Sequence, residues 1–374
     1  MQNVRVLISG ASIAGPAVAY WLARRGFRPT VVERAPSVRR GGQAIDVRGV
    51  ALCIVEEMGI LRAMRAAGTD MRGMSFVDAA GNELMRTTTE TLTGGPLDSP
   101  DVELLRDDLS EILFQATKSS VEYQFGDSIT GLTETDEGVN VTFERGAPRT
   151  FDLVIGADGL HSNVRRLAFG EESRFIQHLG IYLSVFTVPN YLGLDRWQTF
   201  HRGAEEMIGV YSARNNTELR AMMGFGSPPL DVDYRDIDAQ MKILEERFAR
   251  AGWEAPKLLE LMRKAPDFHL DSMAQIHMDR WSVGRTALVG DAAYSSSPMS
   301  GQGTSLAIVG AYVLAGELAS AGGDYAEGYS RYEAEMRPFV AENQKLPAQA
   351  KEGPPPRDIV VRAANAINLR HYPA

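Results

Sequence analysis

"VRVLISGASIAGPAVAYWLARRG", residues 4–26, decides how this chain folds. Its first part, "VRVLISG", is a nearly continuous apolar run that stops at Gly10, the pattern of a strand buried on both faces. "PAVAYWLARRG" follows with helical spacing and closes on Gly26, a helix stop. "RPTVVERA", from Arg28, restores a strand. Together these pieces predict a βαβ unit with a right-handed crossover, the start of a parallel sheet.

The turn inside it, "GASIAG" from Gly10 to Gly15, is one residue off a dinucleotide-binding fingerprint. The first glycine of that fingerprint makes the tight turn, the second lets backbone approach phosphate, and the third lets helix pack on strand. Gly10 and Gly15 take the first and third jobs, and Ser12 stands in the middle. A serine there is expected to cap the helix or bond phosphate through its hydroxyl. Pro16 falls in the first helical turn, where a missing N–H costs least. The pattern also asks for an acid at the end of the second strand to hold ribose hydroxyls. Glu33, 18 residues after Gly15, is there. The fingerprint alone does not distinguish FAD from NAD.

A second element does. In "GRTALVGDAAYSSSPMSGQGTSLAIVGAYVLAGEL" a strand, Thr286 to Val289, delivers Gly290 and Asp291. A Pro-, Ser- and Gly-rich loop then leads to a helix starting near Gly303. Asp291 is placed to bind a hydroxyl chain, and Gly301 and Gly303 let a flat ring lie against backbone. The helix N-terminus offers partial positive charge to an electron-rich ring edge. A nicotinamide dehydrogenase has no need of such an element nearly 280 residues after the first.

At this point the sequence resembles the group A FAD-dependent monooxygenases, the para-hydroxybenzoate hydroxylase-like aromatic hydroxylases, from Val4 to about Leu318. Within them it is similar to the tetracycline-inactivating enzymes and their actinobacterial-type relatives. The opening turn with Glu33 and Arg34 resembles the ADP-binding start, and this implies FAD contacts at Gly10, Ser12, Ile13, Ala14 and Gly15 as well. "DLVIGADGLHSNVR", Asp152 to Arg165, resembles the Asp-Gly motif that bridges FAD and the nicotinamide donor, here through Asp158. "GDAAYSSSPMSGQGTSLA" resembles the Gly-Asp motif and implies Gly290, Asp291, Pro298, Gly301, Gly303, Thr304 and Ser305 at the ribityl chain and ring. "ELLRDDL" resembles the family's Arg-x-x-Leu helix with Arg106 at FAD, and "RRGGQAIDVRG" its ring-side loop with Gln43 and Asp46. The chain departs from the family pattern at Ser12, at Tyr294 in place of histidine and at Ser305 in place of asparagine.

The resemblance implies an α/β fold: a Rossmann-like FAD-binding domain of the GR2, hydroxylase-like type, interleaved with an antiparallel β-sheet substrate domain and followed by a C-terminal helix. Residues 1–72, 99–174 and 272–345 are assigned to the first, 73–98 and 175–271 to the second, and 346–374 to the last. It also implies the activity. NADPH or NADH, bound transiently, reduces FAD; oxygen then forms a C4a-hydroperoxyflavin that hydroxylates an aromatic or polyketide-like small molecule, with an antibiotic such as a tetracycline among the candidates. The chemistry is the cofactor's, so no catalytic side chain is assigned. Gln198, Phe200, Met222 and Pro298 are the substrate-pocket candidates. A Met- and aromatic-rich stripe is also the ordinary make-up of a core.

The remaining chain supports this order. Residues 49–68 read as one helix, 71–87 as a hairpin, and 101–117 as a helix that includes Leu104 and Leu105. Residues 175–230 read as an antiparallel sheet, 235–252 as an amphipathic helix, and "KEGPPPRD" as a break before a last helix, "IVVRAANAINL". A net charge of −9 argues against nucleic acid and anionic membranes. The apolar part of 292–316 falls short of the roughly 17–25 residues of a membrane span. No secretory leader is read at the N-terminus, and one cysteine, Cys53, expected to be buried, fits a reducing cytoplasm. The six histidines lack zinc-site spacing, so no metal is expected. A monomer or homodimer is expected. Two alternatives stay open: a flavin reductase or oxidase of the same fold, and a flavin- or nucleotide-binding protein without turnover. The four tryptophans form no Trp-x-Trp pair, which argues against a flavin halogenase.

Overall fold

The computed structural model describes residues 3–92, 94–349 and 355–372. One six-stranded sheet orders its strands Ser282–Val283, Thr286–Leu288, Leu153–Gly156, Arg5–Ser9, Arg28–Glu33 and Glu122–Phe125. The last five are parallel. Val6, Leu7, Ile8, Val154 and Ile155 are buried completely, as expected for strands covered on both faces. The register sets Ser9 beside Gly156, and Gly156 beside Leu288. Three adjacent strands therefore end level, and the turns after them leave from the same edge of the sheet.

A seven-stranded sheet runs Phe268–Ile276, Ile176–Pro189, Glu218–Gly226, Glu206–Ala213, Gln198–Arg202, Met74–Val77 and Glu83–Thr87. Only Gln198–Arg202 against Met74–Val77 is parallel. The two faces of this sheet do different work. Phe186, Ile208, Val210, Ala221 and Met223 pack on Leu244, Phe248, Leu258 and Met262 of two covering helices, Ile237–Arg247 and Ala255–Met262. The opposite face turns Val185, Tyr211 and Met222 toward Ala44 and Leu105 of a small antiparallel ribbon, Ala44–Val47 with Val102–Leu105. The Ala44 N–H donates to the Tyr211 hydroxyl at 2.6 Å.

The helix Gly303–Ser320 is a pillar packed against the helices Ala14–Arg24 and Tyr325–Gln344. By length and composition it could cross a membrane, with hydropathy 1.3, but 78% of it is buried within the fold. Its small residues serve close packing. The Tyr294 phenol occupies the space a side chain on Gly310 would need, and the Tyr372 ring lies 2.3 to 2.7 Å from where a Cβ on Gly316 would be. Tyr294 also bonds Tyr332 at 3.1 Å and meets the Trp281 ring at 4.6 Å. This tyrosine is thus a core residue.

Several local expectations need correction. Residues 49–68 form two helices, Val50–Glu57 and Leu61–Ala66, because Gly59 takes a φ of +75° between them. Leu104 and Leu105 belong to a strand, and the helix begins only at Arg106, because pairing with Ala44–Val47 outcompetes helical extension. Cys53 is exposed. The final helix is Arg357–Ala364, earlier and shorter than expected, and the chain then folds back so that Tyr372 reaches Glu317 at 2.8 Å. Residues 351–354 of the proposed break lie outside the described residues.

The Tyr294–Gly310 packing is testable. Gly310→Ala should lose about 1–3 kcal/mol in denaturant unfolding, net of any helix-propensity gain. Adding Tyr294→Phe should recover most of it; no recovery would mean the phenol oxygen is not the obstacle.

Candidate active site

Three turns meet at the edge where the parallel strands end. A side chain at Gly10, whose φ is +103°, would bring a Cβ within 2.5 Å of the Ala157 carbonyl oxygen, and one at Gly15 would strike the Gly10 carbonyl. Gly290, with a φ of +65°, leaves 3.1 Å between its would-be Cβ and that of Ala14. Only glycine allows these backbones to approach so closely. Arg165, fully buried, adds a tie that the sequence reading missed. Its guanidinium donates to Ala292 O at 3.0 Å, Leu160 O at 2.6 Å and Glu172 at 2.6 Å.

Ser12 does not cap the first helix. That helix, Ala14–Arg24, is preceded by Ile13 and has no side-chain cap. The Ser12 hydroxyl instead accepts from Arg106 Nη1 at 3.0 Å and lies 3.4 Å from Ser110 Oγ. The free N–H groups at the helix start are left for another acceptor. Glu33 accepts from Ala11 N and Ala35 N, each at 2.8 Å. A carboxylate offers about four acceptor positions, so hydroxyl donors can still be received. Arg34 is exposed.

Arg106 opens the helix Arg106–Thr117 and is drawn inward rather than solvated. It donates to Gly41 O at 2.9 Å, and its own N–H donates to Gln43 O at 3.1 Å. Burial, and then Arg39, push its pKa down to about 10. Further along the same loop Asp46 pairs with Arg48 at 2.9 Å, both buried. Burial raises the Asp46 carboxyl to about 7; Arg48 opposes this, and Glu103 and Asp101 add to it. The Arg48 N–H donates to Ser305 Oγ at 2.9 Å. The serine standing in for asparagine therefore ties the ring-side loop to the head of the helix Gly303–Ser320.

Asp291 heads the short helix Asp291–Tyr294. Its carboxyl is exposed, yet the surrounding walls raise its pKa by desolvation, as in a deep crevice. A Cβ on Gly303 would lie 3.7 Å from Asp291 Oδ1, so the aspartate faces the head of the pillar helix. Gly301 adopts a left-handed φ of +63°, Pro298 is exposed, and Thr304 is buried. Gln302, fully buried, has no partner for either amide atom among the described residues. A polar residue between two glycines at the head of an apolar helix was the sequence signal for it. Asp158 is turned into its own loop, accepting from Ser162 Oγ at 2.5 Å, Asn163 N at 2.9 Å and Val164 N at 3.1 Å.

Of the pocket candidates, Gln198 pairs with Tyr211, and Phe200 and Met222 both pair with Gly209. All three lie on the sheet face that looks toward the Ala44 ribbon. Gln198 and Phe200 are fully buried. Gln198 accepts from Leu92 N at 3.2 Å, and Phe200 packs over Gly209. Met222 keeps 9% of its surface.

A family described as an FAD binding domain matches residues 3–345. The chain is 57% identical over 369 residues to an uncharacterized protein of Mycobacterium tuberculosis, covering 98% of this chain and 99% of that one. It is 43% identical over 345 residues to a flavin-dependent monooxygenase of Legionella longbeachae, covering 92% and 88%. The crystal structure of tetracycline destructase Tet(51) matches with a TM-score of 0.91 at 37% identity, over 100% of both chains. The chain belongs to the FAD-dependent monooxygenases.

The crevice of this monooxygenase fits FAD by its own geometry. Two helices begin there without side-chain caps, at Ala14 and Gly303. The glycine turns expose backbone, and the Asp291 carboxyl is open to a hydroxyl chain. Beside the crevice, His161 belongs to the turn that follows Asp158 and Gly159. The structure gives it more to do. Its Nδ1 lies 2.8 Å from Glu172 and its Nε2 3.2 Å from Asp271, and its ring stacks on Tyr234 at 4.3 Å. It joins the Asp-Gly turn to the seven-stranded sheet.

Burial would lower the His161 pKa, but the bonds to Asp271 and Glu172 outweigh it and raise the imidazolium to about 10. A raised folded value contributes stability that is fully present below the unfolded pKa, 6.5, and is lost as pH climbs toward 10. The ceiling is about 1.4 kcal/mol per pH unit across that window. His161→Gln should flatten the stability profile between pH 6.5 and 10; an unchanged slope in urea titrations would remove the latch.

Proposed function

We propose that this monooxygenase uses NADPH or NADH and O2 to hydroxylate an aromatic or polyketide-like small molecule, with tetracycline-type compounds the first to test. The observation that carries the reading is the meeting of three glycine-bearing turns and two uncapped helix starts in one crevice, beside an apolar sheet face. The name of the 37% identical tetracycline destructase supports the substrate class.

In this reading 1–72, 99–174 and 272–345 hold the cofactor, 73–98 and 175–271 cover the substrate, and 346–374 brace the pillar helix. The Ala14–Arg24 helix start takes the pyrophosphate with Gly10, Ile13, Ala14 and Gly15, while Arg106 and Ser12 hold the turn. Glu33 receives ribose hydroxyls and Asp291 the ribityl chain. The head of the helix Gly303–Ser320, with Pro298, Gly301, Thr304 and Ser305, meets the ring edge, and Gln43 and Asp46 lie on its other side. Bound FAD, once reduced, supplies the activation of O2 that sends one oxygen atom to substrate and the other to water. The protein's share is to bind, orient and exclude water, and the sheet face around Tyr211 and Met222 does the last.

The test is spectral and chemical. Purified protein given FAD should keep its flavin through desalting. NADPH or NADH should bleach it, faster with a phenol or tetracycline present, and 18O2 should label the product. Bleaching with unlabelled product would make it a reductase or oxidase; bound flavin that no nicotinamide reduces would make it a binding protein. Arg106→Ala should weaken flavin binding about tenfold or more, as expected for lost charged hydrogen bonds. Unchanged affinity would remove Arg106 from the site.

A further inference from the structure

Next to the proposed ring site, and sharing Asp46 with it, lies a cavity of about 570 Å³ whose other carboxylates, Asp101 and Glu103, the oxygen-transfer reading does not use. Asp46, Asp101 and Glu103 line its inner part, and Arg65, Asp70 and Arg196 are exposed at its mouth. It is one side chain away from the glycine loop: the Arg48 guanidinium lies 4.0 Å from where a Cβ on Gly301 would be, and the Arg48 backbone is bonded to Ser305.

The inner carboxylates outnumber their cation. Arg48 sits 2.9 Å from Asp46 Oδ2 and 3.8 Å from Asp101, and it also donates to Gly94 O at 3.1 Å. Glu103 receives the Thr69 hydroxyl. Asp46 is 94% buried by its 6% side-chain exposure, yet its Oδ1 has no partner among the described residues. An unpaired buried carboxylate oxygen costs several times a normal hydrogen bond, so such an atom on a residue that lines a cavity points to a donor from a ligand.

We infer that this cavity is a subsite for a cationic, ammonium-bearing arm of the ring substrate, held by Asp46 Oδ1 with Asp101 and Glu103. An ammonium brings three N–H donors and a charge the three carboxylates lack. A neutral arm could donate to Oδ1 but would leave the excess negative charge unbalanced, and an anionic arm would add a fourth negative charge. The raised pKa of Asp46 agrees, since its ionised form is under-compensated as the pocket stands. The inference borrows from the proposed function only the phenolic body of the substrate.

Three phenols of similar size separate the charges: tyramine, 4-ethylphenol and 3-(4-hydroxyphenyl)propionate. Binding to the flavin-loaded enzyme is read from the perturbed flavin spectrum, without turnover. Tyramine should bind at least about tenfold tighter than 4-ethylphenol, and the propionate weakest. Glu103→Gln and Asp101→Asn should each cut the tyramine preference to about threefold or less while flavin affinity and melting temperature hold. Asp46→Asn should abolish it, with flavin retention measured in parallel. Equal binding of the three phenols, no binding of any, or a preference that survives Glu103→Gln and Asp101→Asn would overturn the subsite. Bound tyramine that never gains oxygen would instead overturn the hydroxylase reading and leave the cation preference standing.

Discussion

The close approach of backbone to backbone at Gly10, Gly15 and Gly290 is the constraint on which the site depends. Strands ending at Ser9, Gly156 and Leu288 are level because parallel pairing fixes their register. Their turns can share one crevice only because no Cβ stands between Gly10 and Ala157, or crowds Gly290 against Ala14. A side chain at Gly10 or Gly15 would push the turns apart, and the helix starts that face the crevice would lose their common target.

Around that constraint, the departures from the family pattern are absorbed by neighbours. Ser12, where glycine is usual, lends its hydroxyl to Arg106 and so ties the first turn to the helix Arg106–Thr117. Ser305 accepts from the backbone of Arg48 and positions the ring-side loop. Tyr294 is taken into the core, where the bare backbone of Gly310 leaves room for its phenol. Each of the three residues is held by a neighbour within the fold.

The second sheet shows how one strand set serves two purposes. Alternation along the strands sends Ile208, Val210, Ala221 and Met223 to a helix-covered core, and Tyr211 and Met222 to the side facing the nucleotide fold. The ties between the halves are polar and specific: Tyr211 with Ala44, Arg220 with the Gly42 carbonyl at 3.0 Å, and His161 with Asp271. Such contacts orient the halves without requiring a continuous apolar interface.

The amino-acid sequence by itself determined the βαβ start, the acid at Glu33, the Gly-Asp element with its helix, and the antiparallel character of residues 175–230. Those features are local: glycine placement, apolar runs and period-two or helical spacing leave their mark within a few residues. It also carried the three motifs that meet in the crevice, because backbone that must come close has to be glycine. Only the tertiary structure decided the rest. Leu104 and Leu105 became strand because a partner 60 residues away pairs with them, against their helical surroundings. The roles of Arg165 and His161 had no local signature, since Ala292 and Asp271, which they bond, come from distant elements. Asp46 read as a polar loop residue, and burial beside Arg48, Asp101 and Glu103 turned it into a carboxyl with an unmet bond. Burial and charge pairing are properties of a folded neighbourhood, and no window of sequence contains them.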